Sequence, residues 1–407
     1  MPDRRKHQLI QSFSTGLLPT DWKKANVTPF HKKGHKHKNE NYCQISLTSV
    51  ICQVAENMVR SRVTAFWSDH HQFGYLKWKS SLAELLSCYH HWCLTRNSSK
   101  ATDVIFLDLS KAFDRVPHEC LLHKLNQHGI DNPLLLWFIN SLKNRQQRVT
   151  IRGTYTNWSP VTTGVPQGTI LAPPLFLLNV NDISNVVTSS IKMFADDTKI
   201  YRKINNAEDT LALQSDLDFL ENWTRSWKVK FNPQKCEVMR ITHKQDKSQH
   251  PYQMSNTELK SVNLCKDLGI DVSRDWSWSN HVDPMVNKAN IVVGLLKRTV
   301  GSKNREIFSM LYKSLVRPIL EYACPVWSPY LVKGKLALEK VQRRASRITL
   351  GQELPKMSYE QWCILLNWNT VQHRREYLSV VECYKTVFGL NGLDLDDYFQ
   401  SSFVEVK

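Results

Sequence analysis

"IKMFADDTKIY", residues 191–201, sets two adjacent carboxylates, Asp196 and Asp197, between two apolar runs. Like charges this close repel, and burial makes the repulsion worse. A solvated turn tolerates them; a partly buried site needs a cation. The flanks, 191–195 and 198–203, read as the two strands of a hairpin with Asp196 and Asp197 at its tip. Working outward, a third acid, Asp108, stands in "VIFLDLSKAFDRVP" (104–117). It falls near the end of the apolar run 103–109, which reads as a buried strand. An ionised carboxylate there needs a partner or a metal ion. Three carboxylates on neighbouring strands can hold two Mg²⁺ ions, ~3.5–4 Å apart, and Mg²⁺ commonly bridges carboxylates to substrate phosphates. An Asp-Asp pair is equally a polar turn, and at this level both readings stay open.

Around these acids the pattern is mixed. Helices are expected over 81–96, from Pro117 to Gly129, over 133–144, near 173–183 and over 207–227. In the last, Leu213, Leu217, Leu220 and Trp223 recur at three- and four-residue steps. Pro173 and Pro174 suit the first turn of their helix. Strands are expected over 147–153 and near 236–241 and 268–272. Beyond about 280 the pattern is helical, including 303–316 behind a Ser302 cap and 336–350. Strands mixed with helices, then helices alone, suggest an α+β core with a helical appendage.

The chain has 407 residues, with 54 Lys+Arg against 37 Asp+Glu, a net charge of +17. Residues 1–40 hold nine basic residues against three acidic ones. A basic surface attracts polyanions, nucleic acid foremost. Ten cysteines without a CxxC pair suit reduced thiols better than a disulfide framework. No apolar run approaches the ~20 residues of a membrane span, and "MPDRRKHQLI" lacks a signal-peptide core. An intracellular protein, nuclear or cytoplasmic and not on a membrane, is expected, and the abrupt start suggests a piece of a longer chain. "CYHHWC" (88–93) is declined as a zinc site: on a helix Cys88 and Cys93 lie roughly 140° apart at 3.6 residues per turn, so four ligands would not converge.

"FLDLSKAFDRVPHECLLHKL", "GVPQGTILAPPLFLLNVNDI" and "MFADDTKIY" occur in that order, followed by "FNPQKCEVMRIT", "CKDLGIDVSRDWSWSNHV" and "LYKSLVRPILEYACPVWSPY". This series resembles the reverse transcriptases of non-LTR (LINE-type) retrotransposons, over nearly the whole chain. The resemblance implies an α+β right-hand polymerase: fingers over 1–100, a palm with an antiparallel sheet over 101–275 (with interleaved fingers elements), and a helical thumb with a C-terminal extension from 276 to 407. It implies RNA-directed DNA synthesis on an RNA template and a DNA primer from dNTP, with two Mg²⁺ ions, or Mn²⁺ in their place. Asp108, Asp196 and Asp197 would be the metal ligands, helped by the Leu109 carbonyl. Lys235 would protonate the leaving pyrophosphate or neutralise phosphate. Phe113 would be the gate that excludes a ribose 2′-OH. Gln167 and Gly168 would lie beside the incoming nucleotide, with Lys32, Lys33 and Lys79 as triphosphate contacts. Lys266, Leu268 and Gly269 would form the turn that grips the primer strand. Lys297, Arg298, Arg343, Arg344 and Arg347 would touch phosphates without regard to sequence, a contact weakened by salt.

Departures from the family pattern cluster on the triphosphate path. "NYCQIS" (41–46) has Cys43 where the family has arginine and Gln44 where it has proline. A thiol cannot make bidentate cationic contacts to phosphate. "QFGYLKWKSS" (72–81) has Trp78 and Lys79 where Gly-Arg is common; Lys keeps the charge without the fork. Ala172, Pro174 and Asn179 also depart. The family's upstream endonuclease is absent, so target cleavage is not expected of this chain. Two readings therefore stand: an active polymerase, or a catalytically impaired copy acting at most as a nucleic-acid-binding protein. RNA-templated RNA synthesis is a third, opposed by Phe113.

Overall fold

The computed structural model describes residues 2–32, 34–64, 70–242, 250–300, 304–351 and 357–399. Two sheets organise the first two thirds. Their strands are, in chain order, β1 (Lys24–His31), β2 (Tyr42–Leu47), β3 (Ala101–Asp108), β4 (Arg145–Ile151), β5 (Thr154–Tyr155), β6 (Ser159–Val161), β7 (Ser190–Phe194), β8 (Asp197–Ile204), β9 (Glu237–Ile241), β10 (Gln253–Met254), β11 (Thr257–Glu258), β12 (Lys260–Ser261), β13 (Leu264–Asp267) and β14 (Ile270–Ser273). The central sheet runs β12-β9-β3-β8-β7, antiparallel except where edge strand β12 joins β9. The second sheet runs β2-β1-β4-β5, with β6 also on β4, and its β1–β4 pair is parallel. β10–β11 and β13–β14 are separate hairpins.

β3 is buried on both faces because it divides two cores. Ile105 and Leu107 face a core shared with Ile191, Met193, Ile200 and Val238. Val104 faces another, shared with Tyr201, Met239 and helix residues Leu85, Trp92, Val293 and Val341. Strand alternation sends odd and even positions to opposite sides, which explains the unbroken apolar run. The helix Ala207–Ser226 covers the first face, inserting Leu213, Leu217 and Leu220, and opens on an Asn206–Asp209 capping box. Helices Ser81–Asn97, Ser279–Thr299 and Val332–Leu350 cover the second. Burying one such Leu or Ile contributes roughly 1.5–3 kcal/mol. In "CYHHWC" the side chains of Cys88, Tyr89 and Trp92 are core, and no group of three or more His, Cys, Asp or Glu able to hold a metal occurs among the described residues.

Three expectations shift. The hairpin tip is Ala195–Asp196, one residue earlier than expected, so Asp197 opens β8. That slip matters because it fixes which face Asp197 takes. The strand expected over 268–272 is a hairpin, β13–β14, turning at Leu268–Gly269 where φ is +44° and +91°; the turn breaks what reads as one strand. Ser302 lies outside the described residues, and the helix there is Arg305–Leu311, capped by the Asn304 side chain on the Ile307 N–H. Among the described residues no helix is long and apolar enough to cross a membrane.

Candidate active site

The carboxylates meet at one end of the central sheet. In the β3–β8 ladder Asp108 stands directly opposite Asp197. Both occupy the face on which Phe106 opposes Lys199 and Val104 opposes Tyr201. Asp196 sits in the two-residue turn before β8. Burial raises the Asp196 carboxyl, and Asp108 adds to the effect, while Lys32 and the residue's own N–H pull it down. Crowding by the protein pushes Asp197 up to about 6, aided by the negative charges of Asp196, Asp267 and Asp108 and opposed by Lys199. Carboxylate oxygens gathered at one end of the sheet are the donor type a hard divalent cation takes.

The sequence implies that all three carboxylates converge as one chelating set. They share a neighbourhood, but as the side chains stand no three of them close into a cage among the described residues. Asp108 pairs with Lys235 Nζ at 3.5 Å, and Asp196 feels Lys32 through space.

A cavity of about 420 Å³ joins Asp108 and Asp197 to Lys235, Lys266 and Leu268. The strand register brings the two acids. The loop after the helix Ala207–Ser226 brings Lys235: Asn232 N–H donates to the Asp108 carbonyl at 2.8 Å, and Leu109 bridges Phe231. The β13–β14 turn brings Lys266, Leu268 and Gly269. Tyr322 seats that turn, its hydroxyl donating to the Leu268 carbonyl at 2.7 Å. A Cβ on Gly269 would stand 3.3 Å from the Tyr322 ring, so the close contact suits glycine.

Lys199 and Asp267, which also line the cavity, belong to a buried ion cluster that sequence reasoning missed. Lys199 Nζ contacts Glu84 at 3.0 Å and also Asp267, and all three are under 5 % exposed. Burial pulls Lys199 down, but Asp267 and Glu84 hold it raised overall. Burial pushes Glu84 up to about 7, with Asp267 adding and Lys199 opposing. The available signal was Lys199 two residues beyond Asp197, on the same strand face; its partners lie over sixty residues away in either direction.

The other candidates divide. Phe113 stacks on Phe176 at 4.6 Å, and its carbonyl accepts from Val165 N–H at 2.8 Å. Gln167 lines a second cavity, about 330 Å³, with Gln44, Lys111, Asp114 and Arg115. Its carbonyl accepts from Ser46 N–H at 2.7 Å, tying β2 to the loop, and Gly168 (φ +100°) packs on Ile45 and Ser46. Lys32 bonds to the Cys43 side chain, the leading cause of its raised pKa, with Asp196 and Asp108 contributing. Lys33 lies outside the described residues. Lys79 is turned away: its Nζ donates to the carbonyls of Gln72 at 2.9 Å and His70 at 3.3 Å and lies over the Phe73 ring. Of the helical basic residues, Arg343 and Arg347 lie over Tyr359 and Trp362.

Known proteins give this arrangement a context. Residues 30–271 match the family described as "Reverse transcriptase (RNA-dependent DNA polymerase)". The chain is 24% identical over 379 residues to the probable RNA-directed DNA polymerase from transposon X-element of Drosophila melanogaster, covering 89% of this chain and 40% of that protein. It is 25% identical over 386 residues to the RNA-directed DNA polymerase from mobile element jockey of the same organism, covering 89% and 41%. This chain thus spans about two fifths of the length of these curated relatives. Among solved structures, apo telomerase from Candida tropicalis aligns with a TM-score of 0.49 at 10% identity, over 96% of this chain and 68% of that one.

Proposed function

Because the chain belongs to the reverse transcriptase (RNA-dependent DNA polymerase) family, we propose that it is the polymerase portion of a non-LTR (LINE-type) retrotransposon protein. Its reaction is attack of a DNA primer 3′-hydroxyl on the α-phosphorus of a dNTP, directed by an RNA template, with release of pyrophosphate. The observation that carries this reading is the single cavity in which Asp108 and Asp197 face Lys235 and the Lys266–Leu268 turn.

In this reading the central sheet is the palm, the β1–β2–β4 sheet belongs to the fingers, and the helices from 276 onward form the thumb. Asp108, Asp196 and Asp197, with the Leu109 carbonyl, are the residues that would hold divalent cations. Two Mg²⁺ ions, when bound, lower the pKa of the attacking hydroxyl and stabilise charge on the leaving oxygen. The protein's own work is placement. The β13–β14 turn, seated on Tyr322, holds the primer end beside Asp108 and Asp197. Phe113, backed by Phe176, leaves no room beneath the sugar for a 2′-OH. Gln167 and Gly168 border the templating pair, and Lys32 meets the triphosphate. Lys235 holds a proton within reach of the departing pyrophosphate.

Primer extension on poly(rA)/oligo(dT) with Mg²⁺ or Mn²⁺ tests the proposal. The expected result is cation-dependent product that disappears in Asp108→Asn. Folded protein that binds the duplex in a salt-sensitive way but adds no nucleotide, and gains incorporation with Cys43→Arg, would instead support the impaired-copy reading. Cys43 beside Lys32 is the observation favouring that second reading.

A further inference from the structure

The turn that carries Asp196 is not self-supporting. Two-residue hairpins of this kind favour glycine or asparagine where φ is positive, yet Ala195 holds φ +59°. A non-glycine residue there stores strain that the surroundings must offset. Those surroundings are residues 70–74. Met193 N–H donates to the His71 carbonyl at 2.9 Å, and Phe73 N–H donates to the Met193 carbonyl at 2.8 Å. This parallel bridge lies along β7. From it the Gln72 side chain, 4 % exposed, reaches the turn. Its Oε1 accepts from Ala195 N–H at 2.9 Å and from Gly74 N–H at 2.7 Å. Gly74 closes the contact: a Cβ there would stand 2.5 Å from the Ala195 nitrogen. Lys79 braces the segment from behind through its bond to the Gln72 carbonyl.

We propose that Gln72 is a positioning residue for the Asp196–Asp197 turn: its carboxamide oxygen, brought close by Gly74, fixes the strained Ala195 amide and thereby the directions of both carboxylates. The inference rests on the proposed catalytic role of those carboxylates. It also gives Lys79 a part in bracing the hairpin, through its bond to the Gln72 carbonyl.

The test compares Gln72→Met, which removes the acceptor at nearly constant length, Gln72→Glu, which keeps it, and Gly74→Ala, which blocks the approach. Amide hydrogen exchange is read at Ala195 and at Phe73, Mn²⁺ binding by electron paramagnetic resonance, and single-nucleotide addition by rapid quench. In Gln72→Met and Gly74→Ala, exchange at Ala195 should accelerate about tenfold, as expected for one lost hydrogen bond, while Phe73 stays protected. Mn²⁺ dissociation constants should rise at least fivefold. kcat should fall at least tenfold, with the primer–template dissociation constant within twofold of wild type. Gln72→Glu should keep Ala195 protected. Unchanged exchange at Ala195 in Gln72→Met overturns the clasp. Faster exchange with Mn²⁺ affinity and kcat both within twofold overturns the positioning role. Wild-type protein that binds no Mn²⁺ and extends no primer overturns the catalytic assignment instead, and the exchange result still decides the clasp.

Discussion

Replacing Lys199 by methionine probes the buried ion cluster through stability, though it also removes a charge that opposes the rise of the Asp197 carboxyl. The side chain keeps its length and loses its charge, leaving Glu84 and Asp267 facing each other without a cation. Breaking one partner out of a buried charge set costs roughly 3–5 kcal/mol, because the remaining charges are uncompensated. The cost depends on pH. Glu84 already titrates at about 7 in the folded chain, against an ordinary 4.5. A carboxyl raised on folding contributes stability that is complete below its unfolded value and is lost as pH rises through the folded one. Without Lys199 the Glu84 carboxyl rises further, so the variant loses least at pH 5 and most at pH 8. Urea unfolding followed by tryptophan fluorescence at both pH values measures this. The double variant Lys199→Met with Glu84→Gln should recover much of the loss at pH 8, since only one carboxylate stays unpaired. A loss under about 1 kcal/mol at pH 8, or equal losses at both pH values, would refute the reasoning.

Cys43→Arg should place a forked cation beside Lys32 and lower the dNTP KM about tenfold, the worth of one charge-assisted contact, as steady-state incorporation would show. Phe113→Val should raise ribonucleotide incorporation at least tenfold, on the order of one lost steric exclusion, measured by gel extension with rNTP. Tyr322→Phe removes the bond to the Leu268 carbonyl and should weaken primer–template binding about fivefold, roughly 1 kcal/mol, by fluorescence anisotropy.

Much of this site was legible in sequence because its strands announce themselves. The apolar run ending at Asp108 and the paired acids at 196 and 197 stand out as local pattern, and the family resemblance is what joins them in one site. What could not be read was register. Moving the turn by one residue puts Asp197 at the start of β8, opposite Asp108, and a segment over a hundred residues earlier bridges β7 at Met193, a contact no local pattern announces. The turn at Leu268–Gly269 was implied by the family resemblance but masked in the strand pattern: a leucine at positive φ accepts a bond there from a tyrosine over fifty residues later. The charge of Lys79 suggested phosphate, and no local pattern announces the two backbone carbonyls to which it donates. The Lys199 cluster left only Lys199 itself as a local trace, since its partners come from a helix before β3 and a hairpin after β9.

β3 pairs with strands about ninety and about a hundred and forty residues further along, Asp108 with Asp197 and Asp103 with Arg240. Until the ribosome has released β9, the strand bearing Asp108 has only one of its two neighbours, and loop closure over such distances is slow. A nascent chain interrupted before residue 241 therefore exposes the sticky edge of a half-built sheet to chaperones and to other chains.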